Sequence, residues 1–349
     1  MASVTAVKTA PHSVLSDYKR LLTLAEYKRA FPSADEVLLK LNLSWTLFFP
    51  ACSSPPWQVE GVVSTLREDG FRVTAVENKT VVTDPEKGAI LNRWSALFSR
   101  YQVPFVLLHE TEWIDFTPRA ELCALQEIFP HGFQIPRLFV GTPILHLPTL
   151  KTHGHTGMTG AVKNAFGGLL KERRHHAHRL IHEILVDIMS IQKEIHPGIF
   201  VVLDGTICGD GAGPRTMIPR TGNILLASDD PVALDAVAAT IMGFDAFSIP
   251  FIRLCHDKGI GVGDYDQIEI IGDDISSLNL HCSVRRSPVI FFDQLVRKSM
   301  LEPLLHTLLF RAAIAASAVY HDYIWYPVVG KRRVDAFMKT PWGLLFSQY

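Results

Sequence analysis

The chain has 349 residues, of which 48% are hydrophobic and 20% charged, a composition suited to one large α/β domain or two smaller ones. A net charge of -1, with no basic stripe interleaved with aromatics, argues against nucleic acid as a partner. The five cysteines, Cys52, Cys123, Cys208, Cys255 and Cys282, are scattered and form no CxxC pair, which argues against a disulfide framework, a zinc ribbon or a cysteine-ligated iron–sulfur cluster and predicts reduced thiols in a cytoplasmic protein.

The first residues, MASVTAVKTAPHSV, lack a basic segment followed by a long apolar core, so no secretory signal is expected. VTAVKT (4–9) predicts a strand. Leu15, Tyr18, Leu21, Leu22, Leu24 and Tyr27 then mark one face of a helical pattern over 14–30. DEVLLKLNL (35–43) predicts a second strand, with Lys40 and Asn42 on one face of its end. That pair either holds a carboxylate or carbonyl, or merely reaches solvent. SSPPWQVEGVVSTLREDG reads as a helix with prolines at its start and Gly70 at its exit. FRVTAVEN (71–78) is a strand, ILNRWSALFSRY (90–101) a helix and VPFVLLHE (103–110) a strand.

After a less regular stretch, the strand TPILHLP (142–148) runs into LKTHGHTGMTGAVKNAFGG (150–168), where a helix is expected to begin near Met158. A long helical run covers 175–195. GIFVVLDG (198–205), NILLASDD (223–230) and QIEIIGDD (267–274) are apolar strands with polar or acidic ends, and PVALDAVAATIMG (231–243) and PFIRLCHDKGI (250–260) are helices between the last two. The alternation predicts an α/β fold with a mainly parallel or mixed sheet and helices on both faces. Functional groups in such sheets gather beyond the C-terminal strand ends. Past about residue 285 the character changes, dividing the chain into an α/β domain (1–284) and a C-terminal helical, aromatic extension (285–349).

No run of 18 apolar residues suggests a membrane span. The nearest, LLHTLLFRAAIAASAV (304–319), is interrupted by His306 and Arg311 and reads as a buried or docking helix, or as an interfacial membrane helix. Tyr323, Trp325, Tyr326 and Trp342 beside Lys331, Arg332 and Arg333 suit either peripheral contact with a membrane or protein partner, or packing onto the body.

The segment after TPILHLP carries the densest chemistry. A helix start with glycines before it favours a carboxylate or phosphate, with Thr156 or Thr159 capping or binding. Lys163 lies on the same helix face as Thr159, and Lys151 and His153 can converge from the strand edge. A polar loop with an ordinary N-cap accounts for the spacing equally well. The segment is not a Walker A loop, and the first strand–helix unit has no GxGxxG fingerprint. In VVLDGTICGDGAGP, Asp204 ends a strand before an expected glycine-rich loop holding Asp210. Such carboxylates bind a divalent cation, orient a lysine, act as a base, or form an Asx-turn. Asp229 or Asp230 caps the helix that Pro231 opens, and Asp235 follows one turn later in a very apolar helix. His175, His178 and His182 share a helical spacing, but with Arg173, Arg174 and Arg179 beside them a basic helix start is the alternative to a zinc site.

In order, VLLKLNL, PTLKTHGHTGMTGAVKNAFGGL, VVLDGTICGDGAGP and ASDDPVALDAVAATIMGFDA resemble the successive motifs of the family called domain of unknown function 362, and IEIIGDD is similar to its closing strand. The resemblance covers roughly residues 4–275. Many members carry an attached ferredoxin-like domain, which this chain's cysteine pattern does not provide. Residue by residue, the resemblance points to Lys40, Asn42, Lys151, His153, Lys163, Asn164, Asp204, Asp230 and Asp235, and it implies no particular reaction.

The resulting expectation is an intracellular enzyme acting on an anionic small molecule, bound by Lys40, Asn42, Lys151 and the helix start. His153 would be the acid/base, since its ordinary pKa lies near neutrality. Lys163 would stabilise an oxyanion or transfer a proton, and Asp204 would orient one of these or hold a divalent cation. The alternatives are an oxidoreductase with a bound redox cofactor or an iron–sulfur partner chain, and a non-catalytic binding or membrane-associated assembly protein.

Overall fold

A computed structural model describes residues 2–80, 83–171, 179–285, 291 and 315–349. The expected histidine cluster therefore keeps only His182, because Arg173, Arg174, His175 and His178 lie outside the described residues, as does 304–314 of the apolar run. The elements follow in chain order: β1 (Ala2–Lys8), α1 (Val14–Leu24), β2 (Glu36–Lys40), α2 (Pro56–Glu68), β3 (Arg72–Glu77), α3 (Pro85–Leu91), α4 (Trp94–Tyr101) and β4 (Phe105–Leu107). Next are β5 (Trp113–Phe116), α5 (Leu125–Ile128), β6 (Phe133–Pro136), β7 (Ile144–His146), β8 (Thr149–His153), β9 (Gly157–Thr159), α6 (Ala161–Leu169) and α7 (Ile181–Ile195). Then come β10 (Ile199–Ala212), β11 (Thr216–Ser228), α8 (Pro231–Met242), α9 (Pro250–Asp257) and β12 (Ile268–Gly272).

The main sheet runs β12-β1-β11-β10-β7-β2-β3-β4, with β8 and β9 joined beside β10. Along that path only β11 is antiparallel to its neighbours, so the sheet is mixed but mainly parallel. Both faces are covered, and the strands alternate between them as a period of two requires. Leu38 faces the core built with α6, α7, α8 and α9. Val37, Leu39 and Leu41 face the core built with α1, α2 and α4. The smaller sheet pairs β5 with β6.

Two expectations about local structure are corrected. The stretch after Asp204 is not a loop: β10 continues to Ala212 and hairpins into β11. Its glycines serve close approach. A Cβ on Gly209 would meet the Met217 sulfur at 2.3 Å, and one on Gly205 would meet Ile224 at 2.7 Å. A register irregularity between Gly205 and Ile207 absorbs the extra residue. The helix expected near Met158 begins instead at Ala161, because Gly157–Thr159 forms β9 and pairs back onto β8.

The described part of the C-terminal extension packs on the body. Wide helical turns over Val319–Gly330 lead into α10 (Lys331–Phe337) and α11 (Pro341–Phe346). Trp342 lies 5.1 Å from Trp57, ring to ring, and donates to Asn223 Oδ1 at 2.8 Å. Phe346 stacks on Phe48 at 3.9 Å, and Trp45 donates to Asp322 Oδ1 at 2.6 Å. Among the described residues no helix is long and apolar enough to cross a membrane.

Candidate functional site

The site forms where β8 takes over from β7 as the neighbour of β10. In that register Asp204 stands beside Thr149 and Gly209 beside Lys151. Thr149 and Lys151 are two residues apart, so their side chains share a face. The Lys151 Nζ donates to the Thr149 hydroxyl and to Asn42 Oδ1 at 2.7 Å. Asn42 Nδ2 donates to Asn164 Oδ1 at 3.1 Å, and Asn164 Nδ2 donates to the Lys40 carbonyl at 3.3 Å. Residues from β2, β8 and α6 thus meet in one polar network. Lys151 is fully buried, and no carboxylate pairs with it among the described residues. Burial pushes its amine down to about 8, with Cys52 and Cys208 acting in the opposite direction.

Lys40 contrasts with it. Its Nζ donates to both carboxylate oxygens of Glu77, at 2.9 and 3.0 Å, and to the Leu41 carbonyl at 2.6 Å. The glycines of α6 make room for this buried pair, since a Cβ on Gly168 would sit 3.0 Å from the Lys40 Cε. Lys40 borders the network but its charge is already matched. Glu77 escaped the sequence analysis. The available signal was a carboxylate closing the strand FRVTAVEN, which becomes decisive only once β3 is known to lie beside β2.

His153 ends β8, and its Nδ1 accepts from the backbone N–H groups of His155 and Thr156 at 3.2 and 3.3 Å. Those bonds assign the neutral ring's proton to Nε2. Thr156 donates to the Met158 carbonyl at 2.8 Å, and Thr159 reaches the Thr149 and Lys151 carbonyls at 3.4 Å, so both threonines brace the hairpin. The helix start after them is served from within. The N–H groups of Ala161 and Val162 donate to Asp235 at 2.7 and 3.1 Å. Burial pushes the Asp235 carboxyl up to about 7. Asp230 caps α8 through Val232 and Ala233 and also accepts from Val262 N–H at 2.9 Å. The Lys163 ammonium lies 5.0 Å from the centre of the Phe166 ring.

Asp204 turns toward α1 and α2. It accepts from the Tyr18 hydroxyl at 2.6 Å, the Trp57 indole at 3.0 Å, and the Thr206 N–H and hydroxyl at 3.0 and 2.6 Å. Burial raises its carboxyl above the usual range despite these donors. Asp204 and Thr149 line a cavity of about 20 Å³, the space of a single water. A substrate pocket is roughly ten times larger or more. Asp210 accepts from Arg220 at 2.7 Å and from Ser283 N–H at 2.8 Å. Among the described residues no three His, Cys, Asp or Glu side chains gather to hold a metal. His146, buried near Lys40, and His196, buried near His146, are pushed down by burial to about 3 and about 4 and are neutral at pH 7.

Comparison with known proteins adds a family and a relative. A thylakoid-associated protein of Synechocystis sp. is 35% identical over 121 residues, an alignment covering 34% of this chain and 37% of that protein. The chain thus matches little more than a third of that relative's length. No solved structure matches. The family model described as "Domain of unknown function (DUF362)" matches residues 37–240, a span that includes β2, the β8–β9 hairpin, α6, β10 and nearly all of α8. The chain belongs to that family.

Proposed function

We propose that the protein is an enzyme acting on a small anionic molecule, with Lys151 as the group that meets the anion and transfers a proton. One observation carries this reading: a fully buried amine, held by Asn42 and Thr149, without a carboxylate partner among the described residues. Charged at pH 7, such an amine gains the missing counter-charge from a carboxylate or phosphate. In its neutral form, half populated near pH 8, it is a base or a nucleophile toward a carbonyl. His153, two residues along β8, is the second acid/base and works through Nε2. Asn164 joins the same network from α6, whereas the Lys163 ammonium lies over the Phe166 ring. Asp204 acts as a brace for β10 and touches no substrate. Lys40, paired with Glu77, sets the floor of the site.

The test uses two probes, inorganic phosphate and pyruvate, in thermal melts and calorimetry at pH 7. Wild type is expected to bind at least one of them and to rise in Tm, whereas Lys151→Met with unchanged circular dichroism is expected to lose about tenfold or more in affinity. Equal binding by Lys151→Met, or no binding of either anion by wild type, would sink the reading.

The outer face of the C-terminal turns favours a second role beside the first. Val319, Tyr323, Ile324 and Val328 are each at least half exposed, Tyr323 at 77%, and the exposed cations Lys331 and Arg332 follow directly. Apolar side chains flanked by cations fit an anionic lipid surface, and the relative in Synechocystis is named as thylakoid-associated. In flotation with phosphatidylglycerol vesicles, wild type should rise with the lipid and the Ile324→Asp, Val328→Asp double variant should remain at the bottom. Equal partitioning of the two proteins would dismiss lipid contact through this face.

A further inference from the structure

Of the five cysteines, two meet. Cys208 lies in β10, and Cys282 lies beyond β12, 74 residues later in the chain, with its sulfur 3.4 Å from that of Cys208. Both are free thiols. Among the described residues no other two sulfurs are in hydrogen-bond contact: Cys52 donates to the Pro214 carbonyl instead. The backbone around Cys282 is held in place on either side. Its N–H donates to the Met242 carbonyl at 2.8 Å, Ser283 N–H to Asp210 at 2.8 Å, and Arg285 N–H to the Gly211 carbonyl at 2.9 Å. The two thiols are therefore presented to each other by a fixed frame.

We infer that Cys208 and Cys282 form a reversible disulfide that fastens the strap at residues 282–285 to β10. A disulfide bond is about 2.05 Å long, so closure needs a sulfur displacement of about 1.4 Å, within reach of small side-chain rotations. The pair also has an attacking and a resolving member. Cys208 is wholly buried, while Cys282 keeps about 9% exposure. The hydrogen bond between the two thiols favours a thiolate at Cys282, against the effects of burial and of the Asp210 carboxylate, and the Arg220 guanidinium helps it.

The oxidant is a small-molecule disulfide, such as oxidised glutathione. The Cys282 thiolate attacks one glutathione sulfur, forms a mixed disulfide and releases the other glutathione as a thiolate. Cys208 attacks the Cys282 sulfur and passes its proton to the departing glutathione thiolate, forming the protein disulfide and releasing the second glutathione as a thiol. Two electrons leave the protein, and one oxidised glutathione becomes two thiols. A dithiol reductant reverses both steps. Because Gly209, next to Cys208, is the register partner of Lys151, closure stiffens the strand that flanks the buried amine.

The experiment incubates the purified full-length protein with oxidised glutathione, alkylates it, digests it without reduction and maps the peptides by mass spectrometry. The expected result is a Cys208–Cys282 cross-linked peptide, an intact mass lower by two hydrogens, and a Tm higher by roughly 5 °C. Dithiothreitol should reverse all three, and Cys282→Ser should give none of them. Recovery of both cysteines as alkylated thiols would overturn the inference. So would a Cys282–glutathione adduct that never closes, or a cross-link formed only after denaturation.

Discussion

Lys151→Met is expected to make the protein more stable at pH 7, by about 2 kcal/mol. The amine's pKa falls from 10.5 when exposed to about 8 in the folded chain. The folded state therefore resists the charged form, and at about 1.4 kcal/mol for a tenfold change in proton affinity the cost comes to about 3 kcal/mol. Losing the hydrogen bonds to Asn42 and Thr149 offsets part of that gain. The dependence on pH follows from proton counting. Between pH 8 and 10.5 the unfolded chain holds the Lys151 proton and the folded chain does not, so wild-type stability rises across that window relative to the variant. Below pH 8 the charging cost is fully present. Urea melts of both proteins at pH 7, 8.5 and 10 should show the gap closing as pH rises. A variant less stable than wild type at pH 7, or a gap that does not change with pH, would show that the amine is not destabilised where it lies. A residue kept at a cost to stability is what a functional group in a fold looks like.

The second large effect concerns the join between α6 and α8. A Cβ on Gly160 would lie 2.0 Å from Asp235 Oδ1 and 2.5 Å from its Cγ. Asp235 is fully buried and bound to the N–H groups of Ala161 and Val162, so it cannot retreat. Gly160→Ala is expected to cost about 4 kcal/mol. Asp235→Ala should cost about 3 kcal/mol by leaving two buried donors unpaired and a void. The double variant should fall well short of the sum, because removing the carboxylate also removes the clash. Strict additivity in denaturant melts would mean that the two residues are not in contact. The Asp235 carboxyl, raised from 3.8 to about 7, adds a pH signature. Its folded form prefers the proton, so its contribution is present below about pH 4 and is lost as pH rises through 7. Asp235→Asn should flatten that limb.

Much of the fold is visible in the chain's periodicity. Strands such as Glu36–Lys40 and helices such as Pro231–Met242 fall close to where alternation, prolines and capping residues place them. Asp230 behaves as its Asp-Pro context suggests, because a cap acts within three residues. The misplacements share a cause. The glycines after Asp204 read as loop residues, yet here they admit Met217 and Ile224 from the neighbouring strand, a contact the local sequence does not encode. Thr156 and Thr159 read as helix caps, but their hydroxyls are taken by a hairpin and the helix start is served by Asp235 from 74 residues away.

The sequence by itself determined most of the strands and helices, and it singled out Lys40, Asn42 and Lys151 from strand-end chemistry and Asn164 through the family resemblance. Periodicity, capping and strand-end chemistry are local properties. Only the tertiary structure decided which lysine is paired and which is not. Placing β3 beside β2 gives Lys40 the carboxylate of Glu77, whereas no described carboxylate pairs with Lys151. The charge state of a buried amine depends on what the strand order sets next to it, and strand order is not a local property of the chain.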